Sequence, residues 1–312
     1  MYGRPPAATL QAMSDKNEIQ QFSDALAAAV EGASASVVRI EGRHRGPSSS
    51  GIVWSADGVI VTADHKIERE EGLEVGLPDG RKVPARLVGR DPGTDLAVLR
   101  AEATDLTPAT WAPEDSLKLG HLVLALSRPG QSVRASLGVV AALGAEWQTR
   151  AGGKVDRYHA TDVAHQRGFT GGLLIDVSGR GLGLNDAGLQ RGQGIVLPAA
   201  TLVRVVEALL AHGGVKRGYL GVGAHPVRLP APIAEQAGHP VGLIVVAVQP
   251  GGPAEQAGVL LGDVLLSLDG HPLGDMGELQ ALLGEERAGK EATLRLSRAG
   301  EVREVTVTLG AR

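Results

Sequence analysis

Cysteine is absent from the 312 residues, which excludes disulfides, thiolate metal sites and a cysteine nucleophile. Aromatic residues are scarce at 3%, so a core must be built from Val, Leu, Ile and Ala. Neither sign of charge dominates: 31 Lys and Arg against 35 Asp and Glu give a net charge of −4. That balance offers no electrostatic surface for nucleic acid. No apolar run is long enough to cross a bilayer, and the N-terminal stretch MYGRPPAATLQAMSDKNEIQ lacks the apolar segment of a secretory leader.

What is present is a long series of short β runs. Residues 1–16 are polar and Pro-containing, and are expected to be a disordered tail. Asn17 to Val30 reads as a helix, with Ile19, Phe22, Leu26 and Val30 on one stripe. From Ser36 to Val196 the runs SVVRI, GIVW, VIVTA, LEVGL, ARLVG, LAVLR, LVLAL, SLGVVAAL, GLLID and GIVLP alternate with turn signals such as ADG, PDG and RPG. So many short strands, with 44 glycines along the chain, predict an all-β barrel architecture. Ala199 to His212 returns to helical spacing, and Gly213-Gly214 ends it. A second module follows, with GYLGV, LIVVAV, GGPAEQAGV, GDVLLSLDG, a helix around Met276 to Leu283, and the closing strands ATLRLSR and REVTVTL.

Three segments carry chemistry: VTADHKI with His65, DPGTDLAVL with Asp95, and GFTGG with Thr170. They resemble the histidine, aspartate and nucleophile stretches of trypsin-like proteases of the HtrA type, and the second module resembles a PDZ domain. The resemblance runs from about residue 20 to the C-terminus, in the family's order. It implies a mainly β fold: a trypsin-like double β-barrel over residues 17–213 followed by a PDZ domain over 214–312. His65 would be the base, Asp95 its orienter and Thr170 the nucleophile. The N–H groups of Gly168 and Thr170 would form the oxyanion hole.

Here the chain departs from the family. The usual motif is GNSGG, so threonine stands where serine is expected and Phe169 where asparagine is. The threonine methyl restricts χ1 and crowds the hydroxyl that must face both base and substrate. Threonine nucleophiles chiefly use the chain's own α-amino group as base, and Thr170 is internal. Lys66 follows the histidine where a small apolar residue is usual, and His165 replaces an apolar residue beside the expected specificity pocket. The first reading is therefore a catalytically impaired pseudoprotease that binds peptides or unfolded proteins. The alternative is an active serine-protease-type endopeptidase using Thr170, His65 and Asp95 in protein quality control.

In the second module Tyr219, Leu220, Gly221 and Val222 match the loop that receives a peptide's C-terminal carboxylate. The Pro-rich segment AHPVRLPAPIAEQAGHPVG is an insertion expected to cover part of that groove. No cofactor and no metal are implied, since the spacing of His159, Asp162 and His165 fits no usual zinc pattern. The Gly-rich GLGLNDAGLQRGQG lacks a phosphate-binding context and reads as a loop bordering the specificity pocket. The expected partners are peptides, unfolded proteins and C-terminal tails, without nucleic acid or a membrane span, in a homotrimer or larger assembly. Placement is cytoplasmic if Met1 is the true start and periplasmic if a leader has been removed.

Overall fold

The computed structural model describes residues 7–42, 48–164, 168–189, 194–284 and 287–311. These residues fall into two compact units, the first holding two barrels and the second centred on Ala211–Arg312. Helix α1 runs Ala7–Ala33, so it begins ten residues before the expected Asn17. Residues 7–16 are thus helical rather than a disordered tail, in keeping with the helix-forming run AATLQAM. The expected apolar stripe is only partly used. Ile19 is 70% and Phe22 48% exposed, while Ala29 and Ala33 are buried.

The first barrel closes in the order β1-β2-β3-β6-β5-β4. Its strands are β1 (Val37–Glu41), β2 (Ser49–Val53), β3 (Val59–Ala63), β4 (Leu73–Gly76), β5 (Lys82–Asp91) and β6 (Leu96–Ala101). Val38, Ile40, Val53, Ile60, Val75, Ala97 and Leu99 fill its interior. This is the β-branched, aromatic-poor core that the composition requires. The next elements are β7 (Leu122–Ser127), β8 (Arg134–Gly144), a small hairpin of β9 (Trp147–Gln148) and β10 (Lys154–Val155), β11 (Tyr158–Thr161), β12 (Leu173–Asp176), β13 (Gly181–Asp186) and β14 (Gly194–Pro198). All but the hairpin close the second barrel, in the order β11-β14-β13-β12-β7-β8. Helix α2 (Ala199–His212) buries Leu202, Val205, Val206 and Leu209, the face its 3.6-residue spacing predicts.

Strand β13 corrects one expectation. GLGLND was read as the start of a loop, yet Gly181–Asp186 is a strand with every residue buried. A Cβ on Gly183 would lie 2.2 Å from the Leu197 carbonyl oxygen of the neighbouring strand. Glycine is there for close backbone approach, not for a turn.

Arg128 ties the start of β1 to the end of β7. Its buried guanidinium donates to the carbonyls of Val37 (2.6 Å), Gln131 (2.6 Å) and Ser34 (2.8 Å). Burial lowers its pKa from the usual arginine value.

The second unit is a sheet in the order β16-β17-β18-β20-β21 with helices against it. Its elements are β15 (Gly218–Tyr219), β16 (Val222–Arg228), α3 (Ala231–Ala237), β17 (Val241–Val248), α4 (Pro253–Gln256), β18 (Val264–Leu268), β19 (His271–Pro272), α5 (Met276–Leu282), β20 (Glu291–Arg298), β21 (Glu301–Thr308) and β22 (Gly310–Ala311). Leu243, Leu265, Leu268, Leu279, Leu294 and Leu296 form its core. A capping box starts α5: the Asp275 side chain accepts from the Glu278 N–H, and Glu278 reaches back to the Asp275 N–H.

Candidate active site

Strands β3 and β6 are ladder neighbours, with Ala63 opposite Leu96. The residue that follows β3 and the one that precedes β6 therefore emerge at the same end of the barrel. His65 sits in the 3₁₀ turn Asp64–Lys66 just after β3. Arg90 pins that turn, its Nε donating to Asp64 Oδ1 at 2.6 Å and its Nη2 to the Ile67 carbonyl at 2.8 Å. Lys66 lies on this half-exposed turn rather than inside a strand, so its ammonium is not forced into the core. Asp95 heads β6 with φ of 59°, a left-handed conformation that aspartate tolerates better than most residues.

Thr170, expected at the nucleophile position, is 6% exposed in the turn before β12. Backbone bonds hold this turn on two sides. Ser50 N donates to the Thr170 carbonyl at 3.3 Å, and Gly171 N to the Asn185 carbonyl at 2.9 Å. Ser50 Oγ donates to the Gly168 carbonyl at 2.7 Å and accepts from Arg128 N at 2.8 Å. Gly171 has φ of 83°, and a Cβ there would lie 2.2 Å from the Ser50 carbonyl oxygen, so no other residue fits. Phe169 is 1% exposed and packs with Val123, Leu174 and Val196 inside the second barrel. Its bulk goes into the core rather than into the cleft.

His65 has a carboxylate neighbour that sequence reading missed. Ligand-type atoms of His65 and Asp186, both in the first unit, lie within 4.8 Å of one another. Asp186 ends β13 and is fully buried. Its Oδ1 accepts N–H bonds from Gly188 (2.5 Å) and Leu189 (3.1 Å). The Gly–Leu alternation of GLGLND is a period-two pattern, which would have signalled a strand whose end reaches the site.

Of the histidines weighed as metal ligands, His165 lies outside the described residues. His159 is buried on β11 between Val196 and Leu143. Burial, reinforced by the positive charge of Arg157, lowers its pKa to about 4. Asp162 turns its Oδ1 to the Val139 N–H at 2.6 Å.

In the second unit a cavity of about 310 Å³ is lined by Gly218, Tyr219, Leu220, Gly221 and Val222 on one side and by Met276, Leu279, Gln280 and Leu283 on another. Arg217 at its rim is held by the buried Asp91, with contacts of 2.9 and 3.0 Å. Tyr219 hydrogen-bonds the side chain of Gln249. The Pro-rich segment expected to cover part of this groove lines none of the cavity. It forms β16 and α3 instead, and Leu229 and Ile233 pack on Leu266.

Comparison with known proteins agrees with this architecture. Residues 49–184 match the trypsin-like peptidase domain, and residues 218–309 the PDZ domain. A probable periplasmic serine endoprotease, DegP-like, of Halomonas elongata is 33% identical over 267 residues, covering 84% of this chain and 56% of its own length. Its counterpart in Pseudomonas fulva is 34% identical over 279 residues, with 86% and 57% covered. The chain thus spans little more than half the length of these relatives. Among solved structures, the serine endoprotease from Yersinia pestis is 29% identical with a TM-score of 0.68, over 92% of this chain and 98% of that one. The HtrA-type protease AlgW with a tripeptide is 30% identical with a TM-score of 0.64, over 92% and 97%. Two barrels, a PDZ module and a relative matched along nearly its whole length place this chain in the HtrA-type family of trypsin-like proteases with a C-terminal PDZ domain.

Proposed function

We propose that this protein binds peptides and unfolded chains through its PDZ module and that its peptidase is impaired. The observation that carries the first half is the cavity of about 310 Å³ beside Tyr219–Val222. PDZ domains take a peptide C-terminus as an added strand, its carboxylate on loop N–H groups and its last side chain in an apolar pocket. Leu220, Val222, Met276, Leu279 and Leu283 supply apolar walls, so the preferred last residue is aliphatic. AlgW, a relative, has been solved with a tripeptide and with a decapeptide.

The second half rests on Thr170 as the nucleophile. A β-branched residue has few χ1 choices. The turn is fixed by Ser50 and Asn185, which leaves little freedom to correct its aim. Loss of a nucleophile costs on the order of 10⁶ in turnover, and a poorly aimed hydroxyl forfeits much of that. We assign His65 as base, Asp95 as orienter and the Gly168 and Thr170 N–H groups as oxyanion donors. A second reading, a slow endopeptidase with His65 as base and Asp95 as orienter, draws support from the hydroxyl that Thr170 retains.

The working domain boundary is 213/214, and the working assembly is a homotrimer or larger. Relatives named periplasmic support a periplasmic location. Fluorescence anisotropy of labelled decapeptides ending in valine tests the binding half. Micromolar affinity with a free carboxylate, lost on C-terminal amidation and in Leu279→Asp, is expected. Equal binding of acid and amide would refute it.

A further inference from the structure

Sulfur is scarce in this chain, which has 3 methionines and no cysteine. Met1 and Met13 belong to the N-terminal segment, whereas Met276 lines the cavity of the second unit. We propose that Met276 is a site of reversible oxidation by hydrogen peroxide, and that its sulfoxide weakens peptide binding. The effect on binding rests on the peptide site proposed for this cavity; the modification itself does not.

Position makes the thioether both reachable and consequential. Met276 opens α5. It shares one helical face with Leu279, Gln280 and Leu283, spaced at i+3, i+4 and i+7, and all four line the cavity. Leu279 is buried in the core of the unit, while Met276 packs against that core and keeps part of its surface in water. With no thiol in the chain to compete, a peroxide that enters the cavity finds the thioether as its acceptor. The sulfur lone pair attacks one peroxide oxygen, the O–O bond breaks and an S–O bond forms. Sulfur is oxidised by two electrons, and the peroxide is reduced by two and leaves as water. A polar, chiral sulfoxide then stands where an apolar thioether stood. A peptide seated against α5 would cover the new oxygen, and a buried polar group without a partner costs free energy.

The test treats the full chain with hydrogen peroxide and reads oxidation at each methionine by peptide-mapping mass spectrometry. Anisotropy with the valine-ending decapeptide follows binding before and after. Once Met276 has gained an oxygen atom, affinity should fall about tenfold, and methionine sulfoxide reductases for the two epimers should restore it. Bound decapeptide should also slow the oxidation of Met276. Met276→Leu, compared only with itself, should show the same affinity before and after peroxide, which separates Met276 from Met1 and Met13. Thermal melts confirm that treated and variant chains remain folded. The proposal is overturned if Met276 stays unmodified while a free methionine peptide in the same tube is oxidised. It is equally overturned if full oxidation leaves affinity unchanged, or if peroxide weakens Met276→Leu as much as wild type. Failure of the untreated chain to bind the decapeptide would instead remove the peptide-site reading and the binding effect with it, while the mass spectra still decide the modification.

Discussion

Acid sensitivity of the fold should trace to one buried imidazole. His159 is 7% exposed, and its Nδ1 has no hydrogen-bond partner among the described residues. Burial and Arg157 lower its pKa from 6.5 to about 4. Folding therefore keeps the ring neutral over a range where the unfolded chain would protonate it. Between those two values the unfolded state binds more protons, so stability falls as pH falls. Linkage with these values gives a loss of about 1 kcal/mol by pH 6, about 2 by pH 5 and about 3 near pH 4. Carboxylates such as Asp176 and Asp263, whose pKa values are lowered, also lose stabilising interactions in acid, but at lower pH. The comparison that isolates the histidine is urea unfolding of wild type and His159→Gln from pH 7 to pH 4.5. The variant, less stable at neutral pH through poorer packing, should show a nearly flat profile above pH 5 where wild type slopes. Parallel slopes for the two proteins would refute the reasoning.

Two further substitutions probe other parts of the structure. Asp263 is 1% exposed and receives the Arg298 guanidinium at 2.8 and 2.7 Å. Arg298→Ala should lower the Tm of the second unit, because it removes the cation that faces the Asp263 carboxylate, whereas Asp263→Asn should lower it less; thermal melts read both. Gly171→Ala places a methyl 2.2 Å from the Ser50 carbonyl oxygen at a φ of 83°. It should cost about 2 kcal/mol or more in denaturant unfolding, and a neutral result would mean the turn is looser than its hydrogen bonds indicate.

Much of this fold was legible in the chain because its strands are short, apolar and separated by turn residues. β3 (VIVTA) and β14 (GIVLP) were readable as buried runs, and α2 from its spacing alone. α5 was readable from its position before the closing strands. The misses share a cause: local composition was allowed to outrank pattern or context. GLGLND is glycine-rich and reads as loop by composition, although Gly183 serves close packing against β14 and Gly181 against Trp111. With β13 went Asp186, which ends that strand and is buried. The Ala-rich run 7–16 was assigned to a tail because of its neighbouring prolines, yet it continues α1. Phe169 reads from the sequence only as a departure from the family's asparagine. Which way a side chain points from a turn depends on the barrel interior beneath it, and nothing in GFTGG encodes that. His65 and Asp95 stand 30 residues apart in sequence. Only the β3–β6 pairing brings them to one end of the barrel.

The most direct test of the impaired peptidase is hydrolysis of fluorescent casein by wild type, Thr170→Ala and Thr170→Ser, measured side by side. Wild type and Thr170→Ala should release fluorescence at the same background rate. The serine variant then shows whether the loss lies in one methyl group or in the surrounding site. A wild-type rate clearly above that of Thr170→Ala would make threonine a working nucleophile and contradict the proposal.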